Sequence, residues 1–159
     1  MLISEAYKEV QKELHKGKRY GNSGYRSAKM VRALGNKDIL DYGCGNRSLE
    51  TALGFNIHNY DPCIEEFEHN NTPHQVVYCG DVLEHIEPEL LDNVLADIKR
   101  CTLTAGLLVI ATRKAKKRLP DGRNAHLTIE NADWWREKIS QFFTIKEEFV
   151  GDQEYIVWV

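Results

Sequence analysis

The sequence of 159 residues lacks any apolar run long enough to span a membrane. Its longest apolar stretch, residues 107–111, has only the length of a strand. The N-terminal segment, MLISEAYKEVQKELHK, is charged and amphipathic, so it does not have the composition of a secretory signal. We therefore expect a cytoplasmic protein that has no membrane partner.

Zinc-ribbon and redox motifs are missing as well. The four cysteines, Cys44, Cys63, Cys79 and Cys101, form no CxxC pair, and reduced thiols are the expected state in a cytosolic protein. A large excess of charge of one sign is also absent. The net charge is only −3, which argues against bulk non-specific affinity for nucleic acid.

The chain instead alternates helical and strand patterns, which predicts an α/β fold with a mostly parallel sheet. Ser4 and Ser23 are expected to cap two N-terminal helices, which end at Gly17 and before Gly35. Strands are predicted at residues 38–42, 57–60, 75–79, 107–112, 143–150 and 155–159, and further helices at residues 47–53, 88–100 and 132–142. We expect a single domain, residues 1–159, with the N-terminal helices in residues 1–35 and the core in residues 36–159.

A turn that contains two glycines, DYGCGN at residues 41–46, lies between the first predicted strand and a helix. Glycine lets the backbone approach a ligand closely, and a helix N-terminus presents N–H donors. Asp61 follows the next strand, where a carboxylate can accept hydrogen bonds from ribose hydroxyls. The arrangement fits a dinucleotide or S-adenosylmethionine, and a plain strand–helix turn is the third interpretation.

Two residues favour S-adenosylmethionine over a dinucleotide. Ser48 replaces the third glycine of the dinucleotide pattern G-x-G-x-x-G. Asp41 precedes the first glycine, where it would repel a phosphate but attract a ligand that carries an ammonium and a sulfonium group. A nucleotide-binding oxidoreductase is therefore disfavoured.

Three ordered segments carry a specific resemblance. DILDYGCGN resembles motif I of the class I S-adenosylmethionine-dependent methyltransferases, NYDP resembles the acid of their second strand, and CGDVLEHIEPELLD is similar to their fourth-strand region. The resemblance implies a Rossmann-like, doubly wound α/β sheet with a C-terminal β-hairpin, and an enzyme that transfers methyl groups. It implies a binding site for S-adenosylmethionine formed by Asp41, Tyr42, Gly43, Gly45, Asp61, Pro62, Cys79, Gly80 and Asp81.

The connection that follows the ribose-binding acid is shorter than in this family. Only residues 62–74 separate the second and third predicted strands, which is too short for a crossover helix and another strand. We therefore expect one edge strand to be missing. Six strands would remain in the order 2-1-3-4-6-5, parallel except for the last, and residues 63–74 or 78–81 would form the adenine wall.

Asp81, Glu84 and His85 are spaced so that one helical turn would place them on one face. Together with His126, they resemble the metal site of the small-RNA 3′-terminal 2′-O-methyltransferases. A bound Mg²⁺ or Mn²⁺ would lower the pKa of an acceptor hydroxyl. Alternatively, His85 or His126 acts as a general base without a metal, with Glu84 as a third candidate catalytic residue. In a further interpretation, Glu84 and His85 only brace a turn.

The remaining histidines show no spacing typical of metal ligands. We expect them to be structural or exposed; they are His15, His58, His69 and His74.

A basic run follows the strand predicted at residues 107–112; it comprises Arg113, Lys114, Lys116, Lys117 and Arg118. Such runs are usually solvated loops. This one leaves the carboxyl end of a strand, which is where open α/β sheets bind ligands. It predicts an anionic acceptor, such as a nucleotide, a nucleic-acid end or a phosphorylated metabolite.

The sequence thus predicts an S-adenosylmethionine-dependent methyltransferase that acts on an oxygen or nitrogen atom of a small-molecule or nucleic-acid acceptor. The alternative is a non-catalytic S-adenosylmethionine-binding module or partner subunit. Such a module would bind the cofactor without turnover that depends on an acceptor.

Overall fold

The computed structural model describes residues 1–15 and 22–159. The strands are β1 (Ile39–Tyr42), β2 (His58–Tyr60), β3 (His74–Gly80), β4 (Thr102–Ala111), β5 (Glu147–Val150) and β6 (Glu154–Trp158). They form one sheet in the order β2-β1-β3-β4-β6-β5, in which β6 is antiparallel to both of its neighbours and the other pairs are parallel. The predicted strand order is confirmed, and the described residues contain no seventh strand.

The helices are α1 (Glu5–His15), α2 (Gly24–Ala33), α3 (Ser48–Leu53), α4 (Leu91–Cys101) and α5 (Ala132–Ser140). None of the helices in the described residues is long and apolar enough to cross a membrane. Ser4 caps α1 as predicted, because its hydroxyl accepts the N–H of Tyr7 at 3.2 Å. The end predicted for this helix at Gly17 lies outside the described residues.

The prediction that Ser23 caps α2 through its side chain is wrong. Ser23 already has helical backbone angles, which do not aim its hydroxyl at the free N–H groups of the first turn. The hydroxyl donates instead to the carbonyl of Gly80, at 3.1 Å. This bond ties the start of α2 to the end of β3.

The sheet is covered on both faces, which explains why its central strands are continuous apolar runs. On one face, α4 and α5 pack Leu95 and Trp135 against Val77. On the other face, α2 and α3 pack Val31 and Leu49 against the strands. The carboxyl ends of the parallel strands are left for the loops that follow them and for α1.

β4 begins five residues earlier than its apolar pattern predicted, directly after α4. Its first residues, Thr102–Ala105, are exposed or half-buried, so they show no apolar signal, but Ala105 pairs with Val76 of β3. The strand becomes fully buried only from Gly106 onwards.

The segment between β4 and α5, residues 112–131, folds back and packs against α1. Its tip is a turn in which Leu119 and Arg123 are joined by a main-chain hydrogen bond. Leu119 and Ala125 pack against Tyr7 of α1 in a small third apolar cluster. The segment and α1 thereby form a cover over the carboxyl ends of the strands.

Candidate active site

A cavity of about 480 Å³ lies between this cover and the sheet. Its residues come from the turns after β1, β2 and β3, from α1, and from the 112–131 segment. They include Tyr7, Gln11, Gly43, Gly45, Asp61, Pro62, Cys63, Gly80, Asp81, His85, Arg113, Lys116, Lys117 and His126. The cavity therefore lies at the ligand-binding edge expected of an open α/β sheet.

The floor of the cavity is the glycine turn after β1. Gly43 has a φ of +84°, which side-chain-bearing residues rarely adopt. A Cβ atom there would lie 2.4 Å from a methyl carbon of Val82. The turn is held in place because the N–H groups of Gly43 and Cys44 both donate to the carbonyl of Tyr60. Only glycine fits at this position.

Asp61 forms the side of the cavity, at the end of β2. One carboxylate oxygen accepts the N–H of Gly45 at 3.1 Å, and the other accepts the N–H of Cys63 at 2.9 Å. The side chain is thus fixed by two backbone donors. Since each carboxylate oxygen has a second lone pair, both can also accept a hydroxyl group of a ligand.

Three residues predicted at the cofactor site have side chains behind the cavity wall. Asp41 is buried, and burial together with repulsion from Asp61 raises its pKa to about 8. Tyr42 lies in the core and donates its hydroxyl to Asp97 at 2.8 Å, and Cys79 is fully buried in the same core. The strands that carry these residues are covered on both faces, so these side chains are turned away from the open edge.

Ser48 has a structural role that its comparison with the dinucleotide pattern G-x-G-x-x-G did not predict. Its buried hydroxyl accepts the N–H of Gly24, the first residue of α2, at 3.0 Å. A Cβ atom on Gly24 would lie 2.2 Å from the main-chain nitrogen of Leu49, so the two helices are in close contact. Ser48 thus fixes α2 beside the glycine turn.

Three of the four residues predicted to converge lie together, and two of them, His85 and His126, line the cavity. Glu84, His85 and His126 each have one potential ligand atom, and these atoms all lie within 4.8 Å of one another. The two imidazole rings meet edge to face with centroids 4.7 Å apart. Asp81 lines the cavity but lies outside this group, because its carboxylate is 2.6 Å from the guanidinium of Arg26.

Hydrogen bonds to main-chain carbonyls fix which ring nitrogen carries the hydrogen in both imidazoles. The Nδ1 atom of His85 lies 2.7 Å from the carbonyl oxygen of Ala125, and that of His126 lies 2.5 Å from the carbonyl oxygen of Arg113. A carbonyl oxygen only accepts, so each Nδ1 carries a hydrogen and the lone pair of the neutral ring is on Nε2. Burial lowers the pKa of His126, which favours the neutral form.

Glu84 is the most deeply buried member of the group, with no exposed surface. Its main-chain carbonyl accepts the N–H groups of Leu127 and Thr128, and Oε1 of its side chain accepts that of Ala111. These bonds brace the 112–131 segment against β4. Oε2 has no hydrogen-bond partner among the described residues, and burial raises the pKa of the carboxyl to about 8.

The basic run contributes three residues to the cavity. Arg113, Lys116 and Lys117 line it, whereas Lys114 and Arg118 lie outside the lining. Residues of α1 and α2 were missed by the sequence analysis. Tyr7 and Gln11 also line the cavity, and Arg26 pairs with Asp81. No local motif marks them, because they reach the site only through the packing of the two helices.

Comparisons with known proteins agree with this geometry. A sequence model of the methyltransferase domain family matches residues 17–147. Comparison with curated proteins gives no match.

Solved structures resemble the fold at low sequence identity. The 1,6-didemethyltoxoflavin-N1-methyltransferase of Burkholderia thailandensis, solved with S-adenosylhomocysteine, has a TM-score of 0.67 and 15% identity over 99% of this chain and 90% of that chain. The magnesium protoporphyrin IX methyltransferase of Synechocystis has a TM-score of 0.60 and 13% identity over 98% and 86%. A TehB-like methyltransferase of Corynebacterium glutamicum has a TM-score of 0.60 and 14% identity over 98% of both chains.

The family match covers most of the chain, and the structural likeness extends over nearly all of it. The described residues form the six-stranded sheet that the sequence predicted. The chain therefore belongs to the methyltransferase domain family, as a class I S-adenosylmethionine-dependent methyltransferase.

Proposed function

We propose that this enzyme transfers a methyl group to an oxygen or nitrogen atom of a small anionic acceptor, with the imidazole pair as the proton-accepting group. The observation that carries the proposal is that His85 and His126 line the same cavity as Gly43, Gly45 and Asp61. The shared cavity supports the proposal, because a general base must lie within reach of the acceptor's proton.

Several residues of the cavity support S-adenosylmethionine as its ligand. Gly43 and Gly45 let a ligand approach the backbone, Asp61 accepts ribose hydroxyls, and Pro62 and Cys63 offer an apolar surface for adenine. The carboxylate of Asp61 suits a ligand that carries positive groups, whereas that of Asp81 is paired with Arg26. When bound, the cofactor supplies the electrophilic methyl group.

The imidazoles are suited to remove a proton from the acceptor. The hydrogen on each Nδ1 is held by a main-chain carbonyl, which orients the ring and keeps Nε2 basic. Burial also lowers the pKa of His126, which favours the neutral form that accepts a proton. We propose His126 and His85 as catalytic residues and Glu84 as the residue that positions them.

A metal-assisted reaction is the second candidate, because Oε2 of Glu84 is buried without a partner within the described chain. Glu84, His85 and His126 would hold the ion, and Mg²⁺ or Mn²⁺ would lower the pKa of an acceptor hydroxyl. Two imidazoles in three ligands are a softer set than these ions usually select. We therefore favour the general base.

The acceptor is proposed to be anionic because Arg113, Lys116 and Lys117 line the cavity beside His126. Three cationic side chains attract a phosphate or carboxylate to the opening. A small molecule is favoured because the cover formed by α1 and the 112–131 segment limits the space. Two of the structurally similar enzymes are named for 1,6-didemethyltoxoflavin and for magnesium protoporphyrin IX rather than for a nucleic acid, which agrees with this proposal.

The test follows the methyl group. The enzyme is incubated with S-adenosylmethionine labelled in the methyl group and with metabolite fractions, and the products are separated by anion exchange. We expect the label in an anionic product. His85→Ala combined with His126→Ala should lower the transfer rate by about 10²–10⁴, the usual contribution of acid–base catalysis. His69→Ala, at an exposed position outside the cavity, is the matched control.

Each other outcome identifies a different function. Labelled product only in the uncharged fraction contradicts the anionic acceptor. Tight cofactor binding without transfer to any fraction indicates a non-catalytic binding module. Loss of activity on chelation, with recovery when Mg²⁺ or Mn²⁺ is added, favours the metal-assisted reaction over the general base.

A further inference from the structure

A second group of potential metal ligands lies at the opposite edge of the sheet. Asp38 immediately precedes β1, His58 is the first residue of β2, and His74 is the first residue of β3. These three strands are parallel neighbours in the order β2-β1-β3, so their starts lie together. The group is therefore separated by the length of the strands from the cavity at their carboxyl ends.

The two imidazoles reach this point from opposite sides of β1. Their rings stack with centroids 3.9 Å apart and an angle of 26° between the planes. The Oδ1 atom of Asp38 lies 2.6 Å from Nδ1 of His74 and 3.9 Å from Nε2 of His58. One potential ligand atom from each residue lies within 4.8 Å of the other two.

We propose that Asp38, His58 and His74 bind one divalent cation of the Zn²⁺ class. Two imidazole nitrogens and one carboxylate oxygen are a donor set that suits Zn²⁺, Co²⁺, Ni²⁺ or Cu²⁺ rather than Mg²⁺ or Ca²⁺. The side chain of His58 is 59% exposed and that of Asp38 is 42% exposed, so water can complete the coordination shell. Binding requires these side chains to rotate until each ligand atom lies about 2.0–2.2 Å from the ion.

Outer hydrogen bonds already hold two of the three ligands. Nε2 of His74 lies 3.0 Å from the hydroxyl oxygen of Thr72. When Nδ1 binds a cation, the hydrogen of this ring is on Nε2 and is donated to Thr72, which is the usual second partner of a metal-bound histidine. The Oδ2 atom of Asp38 accepts the N–H of Gln75 at 3.2 Å, which leaves Oδ1 turned towards the imidazoles.

The position of the site gives it a structural rather than a catalytic role. Its ligands belong to the starts of three strands, and Asp38 also accepts the N–H of Val76 through its main-chain carbonyl. A cation that joins them stabilises the folded state by mass action, because the unfolded chain does not hold the three ligands together. This inference does not depend on the proposed methyl acceptor or on the imidazole pair of the cavity.

The experiment compares Zn²⁺ binding by the full chain and by three variants, using competition with a chromophoric chelator and thermal unfolding. His58→Ala removes an exposed ligand that is not part of the core. His69→Ala is the control for an exposed histidine, since its ring lies beside Glu68 and outside the group. His126→Ala removes a ligand of the other candidate group and reports any Zn²⁺ bound in the cavity.

We expect Zn²⁺ to raise the Tm of the wild type, of His69→Ala and of His126→Ala, but not of His58→Ala. The affinity of His58→Ala should fall at least about tenfold, which is the lower bound when even an outer partner of a metal ligand is lost. Co²⁺ should give the visible absorption of a site with nitrogen ligands in the same three proteins. Equal Zn²⁺ affinity in His58→Ala and the wild type, or no binding in the wild type, would overturn the proposal.

Discussion

The carboxylate of Asp61 accepts the main-chain N–H of Gly45 at 3.1 Å, and so closes the glycine turn against the end of β2. The side chain that is proposed to bind the ribose therefore also shapes the floor beneath it. Because the bond exists within the protein alone, the carboxylate is oriented before any ligand arrives. Preorganisation of this kind lowers the cost of binding.

Replacing this carboxylate should weaken cofactor binding. We expect Asp61→Ala to weaken the binding free energy of S-adenosylhomocysteine by about 1–3 kcal/mol, which is the scale for hydrogen bonds to a charged group. Isothermal titration calorimetry measures this loss. Asp121→Ala, which removes an exposed carboxylate paired with Arg123, is the control and should bind like the wild type. Tight binding of NADH, with no binding of S-adenosylmethionine or S-adenosylhomocysteine, would contradict the assignment of the cofactor.

Alanine at Gly43 should destabilise the fold more than alanine at Gly54. Both glycines have positive φ, +84° and +73°, so each substitution carries a strain of about 1–2 kcal/mol. At Gly43 the new Cβ atom would also lie 2.4 Å from Val82, whereas no atom lies within 4 Å of the corresponding position at Gly54. Urea unfolding of the two variants measures the difference.

A double variant checks the cause. Val82→Ala should recover part of the loss in Gly43→Ala, because it removes the methyl carbon that the new side chain meets. Equal destabilisation by Gly43→Ala and Gly54→Ala would show that the turn relaxes without difficulty.

Asp41 should make the protein less stable as the pH rises. Burial raises the pKa of its carboxyl from 3.8 to about 8, so between these values the folded state holds a proton that the unfolded state has lost. The contribution to stability is fully present below pH 3.8 and is lost as the pH rises towards 8. Asp41→Asn, which stays neutral, should gain at least about 1 kcal/mol relative to the wild type between pH 5 and pH 8.

Unfolding in urea at the two pH values measures this gain. Asp121→Asn is the matched control: the hydrogen bond from Arg123 lowers the pKa of Asp121, so its titration is complete below pH 5. A difference between Asp41→Asn and the wild type that does not change with pH would show that Asp41 is ionised in the folded protein.

The strand order and the glycine turn could be predicted because both depend on local signals. Apolar runs and turn residues mark the strands, and the short connection between residues 61 and 74 leaves no room for another one. The convergence of Glu84 and His85 with His126 also follows from spacing and from a loop at the strand ends. These features need no knowledge of distant side chains.

Other features depend on packing across the sheet and have no local pattern. Asp81 is turned towards Arg26, whose position depends on how α2 sits beside β3. Fifteen residues lie between His58 and His74, and their spacing matches no metal-ligand motif. Their rings stack because both side chains reach over the start of β1. The hydrogen bond between Ser48 and Gly24 likewise joins two helices that the sequence describes only separately.

The charge of the cavity mouth should control the affinity for an anionic acceptor. Lys116 lines the cavity, whereas Lys114, two residues earlier in the same exposed segment, does not. We expect Lys116→Glu to raise KM for the acceptor roughly tenfold, because reversing a charge near the surface costs about 1–2 kcal/mol at close range. Lys114→Glu changes the net charge by the same amount and should leave KM nearly unchanged.

Salt separates this local effect from a change in folding. The difference in KM between Lys116→Glu and Lys114→Glu should shrink as the ionic strength rises, because screening weakens interactions between exposed charges. The kcat of Lys116→Glu should stay close to that of the wild type, since the imidazoles of His85 and His126 are held by the carbonyls of Ala125 and Arg113. Equal KM values for the two variants at low salt would mean that the basic run is only a solvated loop and that the acceptor is recognised elsewhere in the cavity.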